Sequence, residues 1–107
     1  MQDLDADVPF DLAAGIDYQA GGVVSRKLIQ KPTGSVTLFA FDRGEGLSEH
    51  TAPFDALLYG LEGQADVLIA GEKHTVRAGQ MIRLPANRPH ALDAPERFKM
   101  LLVMVRS

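Results

Sequence analysis

The amino-acid sequence predicts an all-β domain, a sandwich or a small barrel, and three observations carry that expectation. Runs of β-branched and aromatic residues recur along the chain. Short breakers of glycine, proline and charged residues separate them, and no stretch holds the 3.6-residue apolar period of an amphipathic helix. Many short strands with frequent turns are the pattern of sandwiches and barrels.

Each element has a local reason. Met1 to Asp7 is acidic and polar, which predicts a loose arm over residues 1–8, and the segment from Phe10 to Ile16 is expected to dock on the domain. The core is expected over about residues 22–106. It opens with "GVVSRKLIQ", Gly22–Gln30, and "SVTLFAFD", Ser35–Asp42, bounded by Gly-Gly, Pro-Thr-Gly and Arg-Gly-Glu-Gly turns. Ala56–Leu61, Ala65–Ala70, His74–Ala78, Met81–Leu84, His90–Asp93 and Phe98–Val105 follow. The breakers between them are turns because glycine supplies positive φ and proline holds φ near −65°. In "MIRLP" the alternation turns Ile82 and Leu84 inward. "FKMLLVMV" is apolar at every position after Lys99, with Leu101, Val103 and Val105 on one face and Met100, Leu102 and Met104 on the other. Both faces are expected to be covered, one by the barrel core and the other by a second subunit or the N-terminal arm.

Composition narrows the function classes. With 46% hydrophobic and 23% charged residues the chain has a globular balance, and 107 residues suit one domain, residues 1–107, better than two. The net charge is −3 and the basic residues are scattered, so no nucleic-acid partner is expected. The absence of cysteine removes disulfide and thiolate chemistry. No segment approaches the roughly 20 apolar residues of a membrane span, so no membrane partner is expected. The acidic opening is unlike a signal peptide, and a cytoplasmic location is the expectation.

Two spaced frames carry the chemistry. The first reads Gly44, five residues, His50-Thr51-Ala52, three residues, Ala56, six residues, Gly63. The second reads Gly79, five residues, Pro85-Ala86-Asn87, two residues, His90, three residues, Ala94. Together they resemble the two motifs of the cupin superfamily, and the resemblance covers roughly Val36 to Val105. It implies a small antiparallel jelly-roll barrel. It also implies a metal site, because metal-binding cupins hold iron, manganese, zinc, nickel or copper with two histidines and a glutamate of the first motif and a histidine of the second. Only His50 and His90 match that set; Ala52 and Ala56 stand where the other donors would be. Asn87 replaces a family glycine, and asparagine tolerates the left-handed conformation such a turn needs.

Two imidazoles alone hold a divalent transition metal weakly, since stable sites use three or four protein ligands. Replacement donors are few. Asp55 and Glu49 have the wrong strand parity, Ser48 is a poor ligand, and His74 lies on a part of the chain that carries no family ligand. On a strand, positions 50 and 52 share a face, and the small side chains of Ala52, Ala56 and Gly60 are expected to leave space for a ligand beside His50 and His90. Those histidines then serve as hydrogen-bonding or acid–base groups. The plainer reading makes them interior polar residues, Met81, Met100 and Met104 packing residues, and Arg83 and Arg88 solvated charges. Three functions compete: a small-molecule-binding barrel with a pocket at His50 and His90, a metal-dependent enzyme of dioxygenase, isomerase or decarboxylase type, and an interaction module working through Phe98–Val105. A homodimer is expected in each.

Overall fold

The apolar runs become nine β-strands and one short 3-10 turn in a computed structural model that describes residues 7–106. The strands are β1 (Val23–Lys31), β2 (Gly34–Phe41), β3 (Gly46–His50), β4 (Asp55–Glu62), β5 (Gln64–Ile69), β6 (Glu72–Arg77), β7 (Met81–Leu84), β8 (His90–Asp93) and β9 (Phe98–Val105). They form two antiparallel sheets, one in the order β1-β2-β9-β4-β7 and the other β3-β8-β5-β6. The hydrogen bonding does not close into a ring. The expected barrel is therefore a jelly-roll sandwich of five strands facing four. Among the described residues no helix is long and apolar enough to cross a membrane.

One strand has no periodic signal of its own, although the family frame put positions 50 and 52 on a strand. Glycine, serine, glutamate and histidine give β3 a single apolar residue, Leu47, too little for a periodic signal, and its strand conformation comes from pairing with β8. It ends at His50, so Ala52 lies beyond the strand and not on it. Pro53 supplies no backbone N–H and disfavours continuation. The Ala52 carbonyl accepts a hydrogen bond from the Asn87 N–H instead, at 2.8 Å.

The turn chemistry follows backbone geometry. Gly63 has φ +75°, and a Cβ there would collide with the Arg97 carbonyl, so glycine is required on two counts. Asn87 has φ +63°, which keeps the left-handed turn that its replacement of glycine put in question.

Between the sheets, Phe41, Leu58, Val67, Val76, Leu92, Phe98 and Met100 are almost fully buried. Phe39, Phe41 and Phe98 pack ring to ring at 5.9 and 6.2 Å and fill one end of this interior. A second apolar layer lies on the outer face of the five-stranded sheet. There Ile16, 1% exposed, packs with Leu38 and Ala40, and Leu12, Tyr18 and Leu101 join them. The docking expected around Phe10 to Ile16 is centred on the turn Leu12–Gly15 and on Ile16. Polar ties hold it: Lys99 Nζ donates to the Ala13 carbonyl at 2.6 Å, and Arg26 donates to the Gly15 carbonyl at 3.3 Å. The arm expected over residues 1–8 lies largely outside the described residues. The docked segment covers Leu101 and leaves Val105, 58% exposed, uncovered.

Candidate functional site

His50 and His90 come together through an irregularity in the β3–β8 ladder. Leu47 pairs with Leu92, and one extra residue on β3 then shifts the register so that His50 stands opposite His90. Without that bulge Glu49 would face His90 and His50 would turn to the other side of the sheet. The bulge also overturns the simple parity count, since Leu47 and His50 both line the space between the sheets although three positions separate them.

The two imidazole rings meet edge to face with centroids 4.3 Å apart. His50 Nδ1 donates to the Ser48 carbonyl at 2.8 Å and His90 Nδ1 to the Arg88 carbonyl at 3.2 Å. A carbonyl oxygen can only accept, so each Nδ1 carries its proton, and the neutral ring keeps its lone pair on Nε2. Both rings are thereby oriented and left with a free acceptor nitrogen.

Below them lies a cavity of about 280 Å³. Its wall is hydrocarbon and thioether from both sheets: Leu58, Val67, Leu84, Leu92, Met100 and Leu102. Among the described residues, His50 and His90 are the only polar side chains in that wall, and His50 is exposed, so the pair stands at the mouth. Ala52 and Ala56 line the cavity too. Gly60 does not, which corrects its place among the pocket residues. Although it shares the inner face of β4, a Cβ there would sit 2.5 Å from the Arg77 carbonyl oxygen, so the room at Gly60 is already taken by backbone. The loop between β7 and β8 braces the mouth. Asp55 Oδ1 accepts from the Ala86 N–H at 2.9 Å, and Ala70 N–H donates to the Pro89 carbonyl at 2.8 Å.

The donor set does not fit a resident metal ion. Among the described residues no group of three histidine, cysteine, aspartate or glutamate side chains converges. Asp55 is engaged by the Ala86 N–H, and His74 lines a separate groove with Gln80, Met81 and Ile82. Two imidazole nitrogens fall short of the three or four protein ligands such ions need.

The apolar wall was partly legible in the sequence. The alternation in Phe98–Val105 put Met100, Leu102 and Met104 on one face, and that face lines the cavity. Phe54, an aromatic expected as a core or lining residue, lines it too, whereas Leu47 carried no signal because it sits in no periodic run.

Comparison with known proteins adds the family. The family model described as "Cupin domain" matches residues 37–106. No curated protein matches the chain. Among solved structures, a conserved protein of unknown function from Streptococcus pyogenes is similar at 35% identity and TM-score 0.94, with 99% of this chain and 93% of that one covered. A cupin superfamily protein from Desulfitobacterium hafniense is similar at 29% identity and TM-score 0.92, over 99% of this chain and 97% of that one. A cupin 2 conserved barrel domain protein from Leptotrichia buccalis shows 42% identity and TM-score 0.88 over 91% of this chain, which spans 47% of that longer protein.

Proposed function

The chain belongs to the cupin superfamily, and from that premise we propose that it binds a small, largely apolar molecule in the cavity beneath His50 and His90. The observation that carries the reading is the contrast between the wall and the mouth: hydrocarbon and thioether throughout, with two oriented imidazoles as the only polar side chains among the described residues. A mostly apolar cavity with a few convergent polar groups is the usual form of a small-molecule site. The metal-dependent enzyme expected as the alternative lacks a sufficient donor set among the described residues.

Isothermal titration calorimetry on untagged protein with neutral probes, namely straight-chain alcohols, toluene and indole, tests the reading. The expected result is one-to-one binding that Ala56→Leu abolishes, while that variant melts at least as high as the parent because the added side chain fills the void. No heat from any probe, with Ala56→Leu stabilised, would make the cavity a packing defect. One metal ion per parent chain, absent from a His50→Ala/His90→Ala variant, would move the metal-enzyme reading ahead.

The proposal includes a homodimer. Ile29, Val36, Val103 and Leu57 lie opposite one another across four strands of the outer face, beyond the docked segment. Ile29 is 52% exposed. A second copy presenting the same row would bury both in a two-fold contact.

A further inference from the structure

The inner face of the five-stranded sheet continues past the apolar cavity onto β1 and β2, and there its chemistry changes. Lys27 pairs with Thr37, and after a bulge in β1 Gln30 pairs with Ser35, so a polar row replaces the hydrocarbon one. The row forms the wall of a groove of about 290 Å³ to which Lys27, Lys31 and Arg106 contribute their side chains. Among the described residues, none of these three cations has a carboxylate partner within 4.0 Å. Ser35, in the same wall, is 7% exposed, and its Oγ has no hydrogen-bond partner. A buried hydroxyl without a partner is costly, and three cations with no carboxylate partner among the described residues form a local positive field around one groove in a chain whose net charge is −3.

Groove and cavity adjoin. Met104 stands in the wall of both, and the Arg106 guanidinium lies 4.8 Å from the centroid of the Phe54 ring, itself part of the cavity wall. Met104 is unbranched and flexible, so the partition between the two spaces can move. We infer that the groove is the head-group half of one elongated site, and that the protein's ligand is an anionic amphiphile whose carboxylate lies against Arg106, Lys27 and the Ser35 hydroxyl while its apolar body enters the cavity. The inference rests on the cavity reading above and specifies the ligand's charge and shape. Arginine offers a planar fork to a carboxylate, and its place over Phe54 sets that fork beside the cavity wall.

Straight-chain carboxylates, from butanoate to decanoate, are titrated into the untagged chain beside primary alcohols of equal length. Binding is expected to favour the acid by about tenfold or more, as for a charge-assisted contact. Arg106→Gln and Lys27→Gln are each expected to lower acid affinity toward that of the alcohol, by a larger factor than either lowers alcohol affinity. Added sodium chloride should weaken the acid alone, because charges in an open groove are screened. Lys27 is exposed, so its replacement is a safe variant even if Arg106→Gln melts early. Equal affinity for acid and alcohol, both lost in Ala56→Leu, would overturn the head-group inference and leave the cavity reading standing. Acid binding that survives Ala56→Leu would separate groove from cavity and overturn the single elongated site. Binding of neither series would overturn the inference, and the toluene and indole titrations would then decide the cavity reading by themselves.

Discussion

Single residues decide what this fold can do. His50 and His90 are held by their own neighbouring carbonyls, Ser48 and Arg88, so their ring orientation needs neither a metal nor a ligand. Asp42 is an anchor of another kind. Its carboxylate accepts from the Gly21 N–H at 2.7 Å and from Arg97 Nε at 2.9 Å, tying the start of β1 to the turn before β9. These contacts, the Gly21 hydrogen bond first, lower its pKa to about 2 from 3.8. A depressed carboxylate pKa stabilises the fold above the ordinary value, and that contribution is lost as pH falls from about 3.8 through about 2. Melting scans across that window should therefore show a steeper loss in the parent than in Asp42→Asn; parallel curves would remove Asp42 from the acid response. On the outer face the Tyr18 ring lies under Arg97 and Lys99, at 5.0 and 4.9 Å. Burial, and then the charge of Glu62, pushes its phenol up to about 12 from 10.0. Lys99 completes this cluster by reaching Glu62 at 3.3 Å.

At the scale of elements, the strands that sequence reasoning found are those in which packing and local propensity agree. β7, β8 and β9 have the expected bounds because alternation or a continuous apolar run coincided with turn residues on both sides. β3 could be placed only through the family frame, and not bounded, because its own propensity is weak and pairing with β8 makes it a strand. The two faces of β9 also behave as period two predicts. Met100, Leu102 and Met104 line the cavity and Leu101 meets the docked N-terminal segment. That segment is held chiefly by Ile16, so Ile16→Ala should cost about 2–5 kcal/mol in chemical denaturation, the range for a buried isoleucine truncated to alanine. Amide exchange in the variant should rise on the outer face at Leu38 and Ala40 more than around the cavity. A loss under about 0.5 kcal/mol, the scale of an ordinary surface change, would show that the segment contributes little to holding the sheet.

For the whole molecule, the asymmetry between the two faces of the five-stranded sheet is the organising feature. Its inner face makes the core, the cavity and the polar groove, and among the described residues the docked segment covers only part of its outer face. Val103→Glu places a charge in the uncovered row and should turn a dimer into a monomer in analytical ultracentrifugation, since a desolvated charge without a partner is expensive. A sedimentation coefficient unchanged from the parent would remove this face as the interface. The all-β class, the family frame, the left-handed turns at Gly63 and Asn87, and the alternation that gives β9 two different faces can be read from the order of residues, because each follows from local backbone preference or from spacing along the chain. It takes the folded chain to set His50 against His90, to fill the room at Gly60 with the Arg77 backbone, and to bring Lys27, Lys31 and Arg106 to one groove beside the cavity. Those facts depend on a bulge, on a close approach between strands and on the meeting of distant chain segments, none of which leaves a periodic trace in the order of residues.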